Sequence, residues 1–262
     1  MLPQIIARLE RRSQPLRYYA EPFAGGAGAA IRLLSANKVD KIFLNDADVR
    51  IYAAWRSVLD ETDRFIDKIK RTPLTVEVWR EMRRVVAEPD SAESIFELGF
   101  ATFYMNRTSR SGILIGSGPI GGYEQSGKWK VSARFYKETM IERVAWLGEN
   151  ASRISISNLD ALAFIRSFQP RVAKRTFFFI DPPYVEMGSR LYFNSMDDDS
   201  HKVLAALIKR KTSMGDWIIT YDDAPLIKRL YDFANVKDNE IRYSLQSKKI
   251  ASELVIEPID NS

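Results

Sequence analysis

The sequence contains no cysteine and only one histidine, His201. The absence of cysteine excludes disulfide bonds, thiolate metal sites and a cysteine nucleophile. A single histidine disfavours a histidine-based zinc site and a Ser-His-Asp triad. The segment DDDSHKVLAALIKRK reads as a helix opened by Asp and Ser, so we expect His201 to be a surface or capping residue. We therefore expect no metal.

Long hydrophobic runs are missing as well. No stretch approaches the roughly 18 uncharged apolar residues that a membrane span needs. The first residues, MLPQIIARLERR, lack the basic, apolar and small-residue regions of a secretory signal. With 45% hydrophobic and 28% charged residues, the composition is typical of a soluble protein with a real core. We expect a cytoplasmic protein without a membrane partner.

Short apolar segments that end in acidic or turn residues alternate with helix-like segments. The candidate strands are residues 17–21, 41–44, 153–157, 175–180 and 216–220. This alternation predicts an α/β fold with a parallel sheet covered by helices on both faces. The tail, from EIRYSLQ to SELVIEP, predicts two strands in a hairpin.

The interval between Leu44 and Arg153 is much longer than one crossover helix requires. It contains helical candidates at 49–70, 75–88 and 94–106, followed by a Gly/Ser-rich stretch suited to a loop or hairpin. We therefore predict a main domain of residues 1–55 and 150–262, with a mainly helical subdomain, 56–149, inserted into it.

Basic and aromatic residues are interleaved in part of this insert, in a chain whose net charge is +5. Its basic residues are Arg107, Arg110, Lys128, Lys130, Arg134 and Lys137, against Glu124 and Glu138. Its aromatic residues are Phe103, Tyr104, Tyr123, Trp129, Phe135 and Tyr136. A surface that follows phosphates and stacks on bases needs both kinds of side chain. A solvated loop with core aromatics is the alternative, and by this feature alone the favoured one.

The ends of the first three strands carry a turn and two aspartates where a doubly wound sheet binds ligands. The turn, residues 22–28, is glycine-rich, so its backbone can approach a ligand closely. It lacks the G-x-G-x-x-G fingerprint, which disfavours an NAD enzyme. Asp46 could accept hydrogen bonds from two ribose hydroxyls, and Asp160 from an adenine amine. Each aspartate alone is more often a helix cap, but together these features indicate an adenosine ligand without a pyrophosphate.

The run Asp181-Pro182-Pro183-Tyr184 follows the most apolar strand. The two prolines fix the backbone and leave its carbonyls able to accept hydrogen bonds. The carboxylate and these carbonyls can converge on an amino group, while Tyr184 offers a stacking face. Accepting both N–H bonds of an aromatic amine frees its lone pair for attack on a sulfonium methyl group. A turn capped by aspartate is the structural alternative.

Several segments together resemble the D12 class of N6-adenine methyltransferases, which includes the Dam methylases. They are residues 21–28, Asn45-Asp46, Asn106-Arg107, 181–184 and 188–193, in the order that the class shows. The resemblance implies a Rossmann-like methyltransferase sheet with an inserted target-recognition subdomain. It also implies that S-adenosylmethionine is the cofactor and that the amine belongs to an adenine flipped out of double-stranded DNA.

The resemblance implies a role for each matching residue. The catalytic residues would be Asp181, Pro182, Pro183 and Tyr184. The cofactor-binding residues would be Glu21, Pro22, Phe23, Gly25, Gly26, Gly28, Asp46, Asp160 and Asp181. The DNA-binding residues would be Asn106, Arg107, Arg110 and Ser111, with a plain surface charge as the alternative for the two arginines. Lys128 and Lys130 of the basic and aromatic segment are further candidates for DNA binding. We expect a monomer, encoded by a prokaryote or phage.

Two departures from the class pattern bear on these expectations. Members usually begin with a Gly-Gly-Lys segment, whose lysine helps to hold the methionine end of the cofactor. The present sequence begins at MLPQII, so we expect a misassigned start, a trimmed chain or weakened cofactor binding. In the run after Asn106-Arg107, the arginine of Dam-type enzymes is replaced by Ile115, so GATC specificity does not carry over.

Alternatives remain open at this point. The same pocket logic would suit methylation of RNA or of a cytosine amine. A non-catalytic DNA-binding relative that has lost cofactor binding is the alternative from another functional class.

Overall fold

The computed structural model describes residues 1–11, 16–185, 196–210, 214–242 and 250–259. Residues 188–193, part of the family resemblance, lie outside this described set. The strands are β1 Tyr18–Glu21, β2 Lys41–Asn45, β3 Ile154–Ser157, β4 Thr176–Ile180, β5 Asp216–Asp222, β6 Asn235–Arg242 and β7 Ile250–Glu257. The helices are α1 Leu2–Arg11, α2 Gly28–Ser35, α3 Val49–Asp60, α4 Thr62–Arg71, α5 Val76–Ala87, α6 Ile95–Thr108, α7 Lys137–Glu149, α8 Ala161–Ser167, α9 Pro170–Ala173, α10 Asp198–Arg210 and α11 Pro225–Leu230.

The strands form one sheet in the order β3-β2-β1-β4-β5-β7-β6. β1 is parallel to β2 and β4, and β4 is parallel to β5. β7 runs antiparallel to both β5 and β6. This mostly parallel sheet, alternating with helices and ending in an antiparallel pair, confirms the predicted Rossmann-like α/β fold.

The antiparallel tail was predicted correctly in kind, but its first strand was placed too late. β6 begins at Asn235, five residues before the predicted start at 240. Its first half, NVKDN, contains one apolar residue, Val236. β6 is an edge strand, and edge strands carry charged residues that discourage pairing with other chains. Hydrophobic patterning therefore missed this half of the strand.

The chain divides into two compact units, residues 1–47 with 159–262, and residues 48–158. The core of the first unit forms around the central strands, where Phe177, Phe178 and Ile180 of β4 are fully buried. Ile219 and Tyr221 of β5 belong to the same core. A run of apolar residues such as TFFFI suits a strand that is covered on both faces. The functional division at 56–149 stays a prediction.

The second unit is mainly helical, as predicted, and α3 and α6 pack closely within it. A Cβ atom added at Gly99 of α6 would lie 2.3 Å from the Ala53 carbonyl oxygen of α3, so only glycine fits this crossing. Side-chain oxygens of Asp48, Thr75 and Ser94 cap the first turns of α3, α5 and α6. The Gly/Ser-rich stretch is a loop with short 3₁₀ and turn segments, as expected.

Neither a membrane span nor a metal cluster occurs in the described ranges. None of the described helices has the length and apolar character needed to cross a bilayer. The described His, Asp and Glu residues form no group of three or more that could hold a metal ion.

The prediction for His201 was wrong. Its side chain is fully buried, and its Nδ1 lies 2.9 Å from the Tyr221 hydroxyl. Burial lowers the pKa of His201, so the ring is neutral at neutral pH. Leu204 and Ile208 share its buried face of α10, at the i, i+3 and i+7 spacing of an amphipathic helix. That spacing places His201 in the core and outweighs the acidic residues that precede it.

Candidate active site

The parallel strands bring their carboxyl ends to one edge of the sheet. Ala20 of β1 is in register with Phe43 of β2 and Phe178 of β4. Ile180 of β4 is in register with Ile219 of β5. The residues that follow these strands therefore lie along the same edge, where doubly wound folds bind ligands. We call this region the carboxyl edge.

The glycine-rich turn after β1 is bound to the end of β2. Gly25 has φ of +47°, a left-handed conformation that favours glycine. Its N–H donates to Asp46 Oδ2 at 2.9 Å, and the Ala24 N–H donates to the Asn45 carbonyl at 2.9 Å. The predicted cofactor residue Asp46 thus lies beside the predicted turn. A carboxylate can accept several further hydrogen bonds, so this contact is compatible with ribose binding.

Asn45 is part of the family resemblance, but no role in the site was predicted for it. It is fully buried, and its Nδ2 donates to the carbonyls of Pro22 at 3.0 Å and Leu159 at 2.9 Å. The Leu159 N–H donates back to its Oδ1 at 3.0 Å. Asn45 therefore joins the turn after β1 to the segment that precedes Asp160. The available signal was a polar residue at the end of an apolar strand.

Asp160 caps α8. Its Oδ1 accepts from the N–H groups of Leu162 at 2.9 Å and Ala163 at 3.1 Å. This is the capping role that stands as the alternative to cofactor binding. The side chain is exposed, and a contact with an adenine amine stays a prediction.

Glu21 is buried at the end of β1 with only 3% of its surface exposed. The Tyr19 hydroxyl donates to its Oε1 at 2.8 Å, and the Ala30 backbone also bonds to it. Burial, opposed by these hydrogen bonds, raises the pKa of Glu21 to about 8. The group is therefore mostly protonated at neutral pH. This position makes Glu21 a support beneath the turn, and its predicted contact with the cofactor is untested. Pro22 is buried, Phe23 is half-buried, and Gly26 and Gly28 are exposed.

Asp181 follows β4 and is held by the neighbouring strand. The Thr220 hydroxyl of β5 donates to Asp181 Oδ1 at 2.6 Å. The residue as a whole is exposed, but protein atoms around its carboxyl group partly desolvate that group. This burial, opposed by the Thr220 bond and reinforced by the charge of Glu253, raises the pKa of Asp181 to about 6. The carboxyl group is therefore ionised above that pH.

The rest of the Asp181-to-Tyr184 run is equally fixed. Pro182 and Pro183 are buried. The Tyr184 hydroxyl donates to Glu253 of β7, and the Val185 N–H donates to Asp222 Oδ1 at 3.1 Å. Thr220, Asp222 and Glu253 were not predicted as site residues. They are distant in sequence, and only the pairing of β4, β5 and β7 brings them here.

The predicted DNA-binding residues of the second unit lie on α6 and the following loop. Asn106 is exposed and donates to the Gly112 carbonyl at 3.3 Å. Arg107 is half-buried, and burial lowers its pKa, as do Arg134 and Arg143 nearby. Arg110, Ser111, Lys128 and Lys130 are exposed. The structure thus gathers positive charge around Arg107 and leaves the other five predicted side chains at the surface of this unit.

The six aromatic residues of this segment divide into two groups. Tyr104 and Phe135 are buried and Phe103 is partly buried, as the core alternative expected. Tyr123, Trp129 and Tyr136 are 46%, 63% and 67% exposed. Lys128 lies over the Trp129 ring, 5.4 Å from its centroid. Exposed aromatic rings beside cations are suited to stacking on bases.

Comparisons with known proteins bear on both units. The model of the D12 class N6 adenine-specific DNA methyltransferase family matches residues 1–245. The chain is also similar to two solved structures of the rRNA methyltransferase aviRa from Streptomyces viridochromogenes, at 2.4 Å and 1.5 Å resolution. The sequence identities are 13% and 14%, and the TM-scores are 0.39 and 0.38. In both comparisons the match covers 98% of the present chain and 83% of the aviRa chain. A search of the curated proteins found no match.

The family match spans nearly all of the chain and includes the glycine-rich turn, the helical unit and the Asp-Pro-Pro-Tyr run. The chain therefore belongs to the D12 class N6 adenine-specific DNA methyltransferase family.

Proposed function

We propose that the protein transfers a methyl group from S-adenosylmethionine to the N6 amine of an adenine flipped out of double-stranded DNA. It would act as a monomer and without a metal. The observation that carries the proposal is the carboxyl edge. Asp181 follows β4 and accepts a hydrogen bond from Thr220. The neighbouring strand β1 is followed by the glycine-rich turn, which donates a hydrogen bond to Asp46.

The residues of the turn fit the proposed cofactor. Cβ atoms placed on Gly25, Gly26 and Gly28 would meet no atom within 4 Å. The turn therefore borders open space, and a ligand could approach its backbone. Asp46 could accept hydrogen bonds from ribose hydroxyls and Asp160 from the adenine amine. The cofactor would supply a methyl group made electrophilic by its sulfonium.

Asp181 and the backbone beside it would activate the amine. An adenine amine is a weak nucleophile because its lone pair is delocalised into the ring. Among the described residues, no hydrogen bond reaches the carbonyl of Pro182 or Pro183, so either can accept from the amine. Accepting both N–H bonds at a carbonyl and at Asp181 Oδ2 would concentrate the lone pair on nitrogen. After methylation this nitrogen must lose a proton, which a carboxylate with a pKa of about 6 can take.

Tyr184 would bind the target base, and the second unit would bind the DNA. The amine of a stacked adenine is unreachable inside the duplex, so the base must leave the stack. Tyr184 would stack on the flipped base. Arg107, Lys128, Lys130 and Trp129 would contact phosphates and bases of the DNA.

A substrate panel tests this proposal. The protein is incubated with methyl-labelled S-adenosylmethionine and unmethylated plasmid DNA, single-stranded DNA or RNA, with and without EDTA. Each product is digested and its nucleosides are identified by mass spectrometry. We expect N6-methyladenine from the plasmid, undiminished by EDTA.

Other results would contradict part or all of the proposal. Methyl label found only in RNA, or in a cytosine, would contradict the proposal that the substrate is an adenine in DNA. A protein that binds DNA but shows neither transfer nor calorimetric binding of S-adenosylmethionine would be the non-catalytic relative. Asp181→Ala tests the assigned residue, and Asp238→Ala, an exposed carboxylate on β6, is the matched control.

A further inference from the structure

Glu253 lies at the carboxyl edge although it falls after residue 245, where the family match ends. It belongs to β7, which runs antiparallel to β5 and places Glu253 opposite Asp222. The Tyr184 hydroxyl donates a hydrogen bond to its Oε1. The side chain is half-buried, and among the described residues no lysine or arginine pairs with it. Its carboxylate therefore interacts mainly with the catalytic run.

The two contacts of β5 and β7 hold Tyr184 from both ends. Glu253 binds the tip of its side chain, and Asp222 binds the backbone N–H of the next residue, Val185, at 3.1 Å. A tyrosine ring with a fixed Cα and a fixed hydroxyl has little freedom to rotate about χ1. Stacking on a planar base depends on the orientation and separation of the two rings. Glu253 therefore helps to fix the position and the long axis of the Tyr184 ring.

We propose that Glu253 is a positioning residue that holds the Tyr184 ring in the place required to stack on the target adenine. This rests on the proposed function of the same site. The predicted target contact belongs to Tyr184, and Glu253 acts through its hydroxyl.

A second consequence follows from the charge of Glu253. It contributes to raising the pKa of Asp181, whose other neighbours are the Thr220 hydroxyl and the buried pair Tyr19 and Glu21. Removing this charge should let Asp181 ionise at lower pH. The effect does not require the Tyr184 hydroxyl, so it separates loss of charge from loss of positioning.

The test uses Glu253→Ala, Glu253→Gln and Tyr184→Phe, the double variant Tyr184→Phe with Glu253→Ala, and Asp238→Ala as control. Single-turnover methylation of plasmid DNA is measured from pH 5 to pH 9. We expect Glu253→Ala to slow transfer about tenfold at pH 8, the typical effect of losing a hydrogen bond to a charged group. Glu253→Gln keeps an acceptor for the hydroxyl and should stay within about threefold of wild type. Both should move the acidic limb of the rate profile to lower pH.

The double variant decides whether Glu253 acts through the Tyr184 hydroxyl. In the Tyr184→Phe background, adding Glu253→Ala should change the rate at pH 8 by less than about twofold. An equal loss in both backgrounds would overturn the proposal, as would a wild-type rate for Glu253→Ala. Should Glu253→Ala not fold, judged by its melting curve, the comparison of Glu253→Gln with Tyr184→Phe decides in its place. Glu253→Gln as slow as Tyr184→Phe would then overturn it.

A readout without turnover separates this proposal from the proposed function. In protein labelled with ¹³C-tyrosine, Tyr184→Phe identifies the Tyr184 ring signal. That signal should move in Glu253→Ala and stay unchanged in Asp238→Ala. An unmoved signal in Glu253→Ala overturns the positioning role. If wild-type protein methylates no substrate while Glu253→Ala still moves the Tyr184 signal, the proposed function is overturned and the contact is kept.

Discussion

The predicted site residues of the carboxyl edge and the exposed pair Lys128 and Trp129 in the loop of residues 109–136 are held in different ways. At the edge, Asp46, Asp181 and Tyr184 are each bonded to a group from another strand or turn. In the loop, Lys128 and Trp129 are exposed and contact each other. Chemistry on a single amine requires atoms fixed in advance. A surface that follows a DNA backbone gains from side chains that can adjust to it. The difference predicts that changes at the edge affect the rate of transfer, and changes in the loop affect binding.

Among the changes at the carboxyl edge, Asp181→Ala should reduce the rate of methyl transfer the most. It removes the proposed acceptor of the amine, and loss of a preorganised group of this kind costs at least about 10²–10³ in rate. The melting temperature at pH 8 should not fall, because a carboxylate whose pKa is raised is held at a cost in the folded state. Single-turnover transfer and a melting curve measure both. A rate within tenfold of wild type would contradict the role.

The pH dependence of transfer should be the next largest effect. Asp181 must be ionised to accept from the amine, and its pKa is about 6. The rate should therefore fall about tenfold between pH 7 and pH 5. Thr220→Val removes the hydrogen bond that favours the ionised form of Asp181. The fall in rate at acidic pH should therefore occur at higher pH in this variant. A limb that stays in place in Thr220→Val would show that a different group controls the rate.

Trp129→Ala tests whether the loop contributes to DNA binding and not to the rate of transfer. Loss of one stacking ring should weaken DNA binding by about five- to tenfold, while the rate at saturating DNA stays near the wild-type value. Fluorescence anisotropy gives the affinity, and Lys128→Ala should in addition reduce its dependence on salt. Phe233→Ala, a partly buried aromatic of the first unit, is a control for general loss of aromatic packing. A lower rate at saturation in Trp129→Ala would contradict the division of roles.

Glu21→Gln should have the smallest effect on transfer but a visible effect on stability. The ordinary pKa of this carboxyl is 4.5 and its folded value is about 8. Between these values the unfolded chain releases the proton and the folded chain keeps it, so wild-type stability falls as pH rises, by up to about 1.4 kcal/mol per unit. Glu21→Gln does not titrate in this range, so its stability does not fall for this reason as pH rises. Its melting temperature relative to wild type should therefore rise from pH 4.5 to pH 8. A constant difference would contradict the protonated state.

The parts of the fold that could be predicted were those marked by local sequence. The TFFFI strand, the glycine-rich turn and the Asp-Pro-Pro-Tyr run are each contiguous and chemically distinctive. The bonds that fix the site join residues far apart. Thr220 is 39 residues from Asp181, Glu253 is 69 from Tyr184, and Asn45 is 114 from Leu159. No local pattern predicts such pairs, because strand order and register create them. The first half of β6 was missed for a local reason, its charge.

The most direct test of the account is nucleoside analysis after wild-type protein and Asp181→Asn act on unmethylated plasmid DNA at pH 8. Melting curves of both proteins, recorded on the same samples, show whether the variant is folded. The account predicts N6-methyladenine from wild type and none above background from Asp181→Asn, in which an amide has replaced the carboxylate. N6-methyladenine formed by Asp181→Asn at the wild-type rate would contradict it.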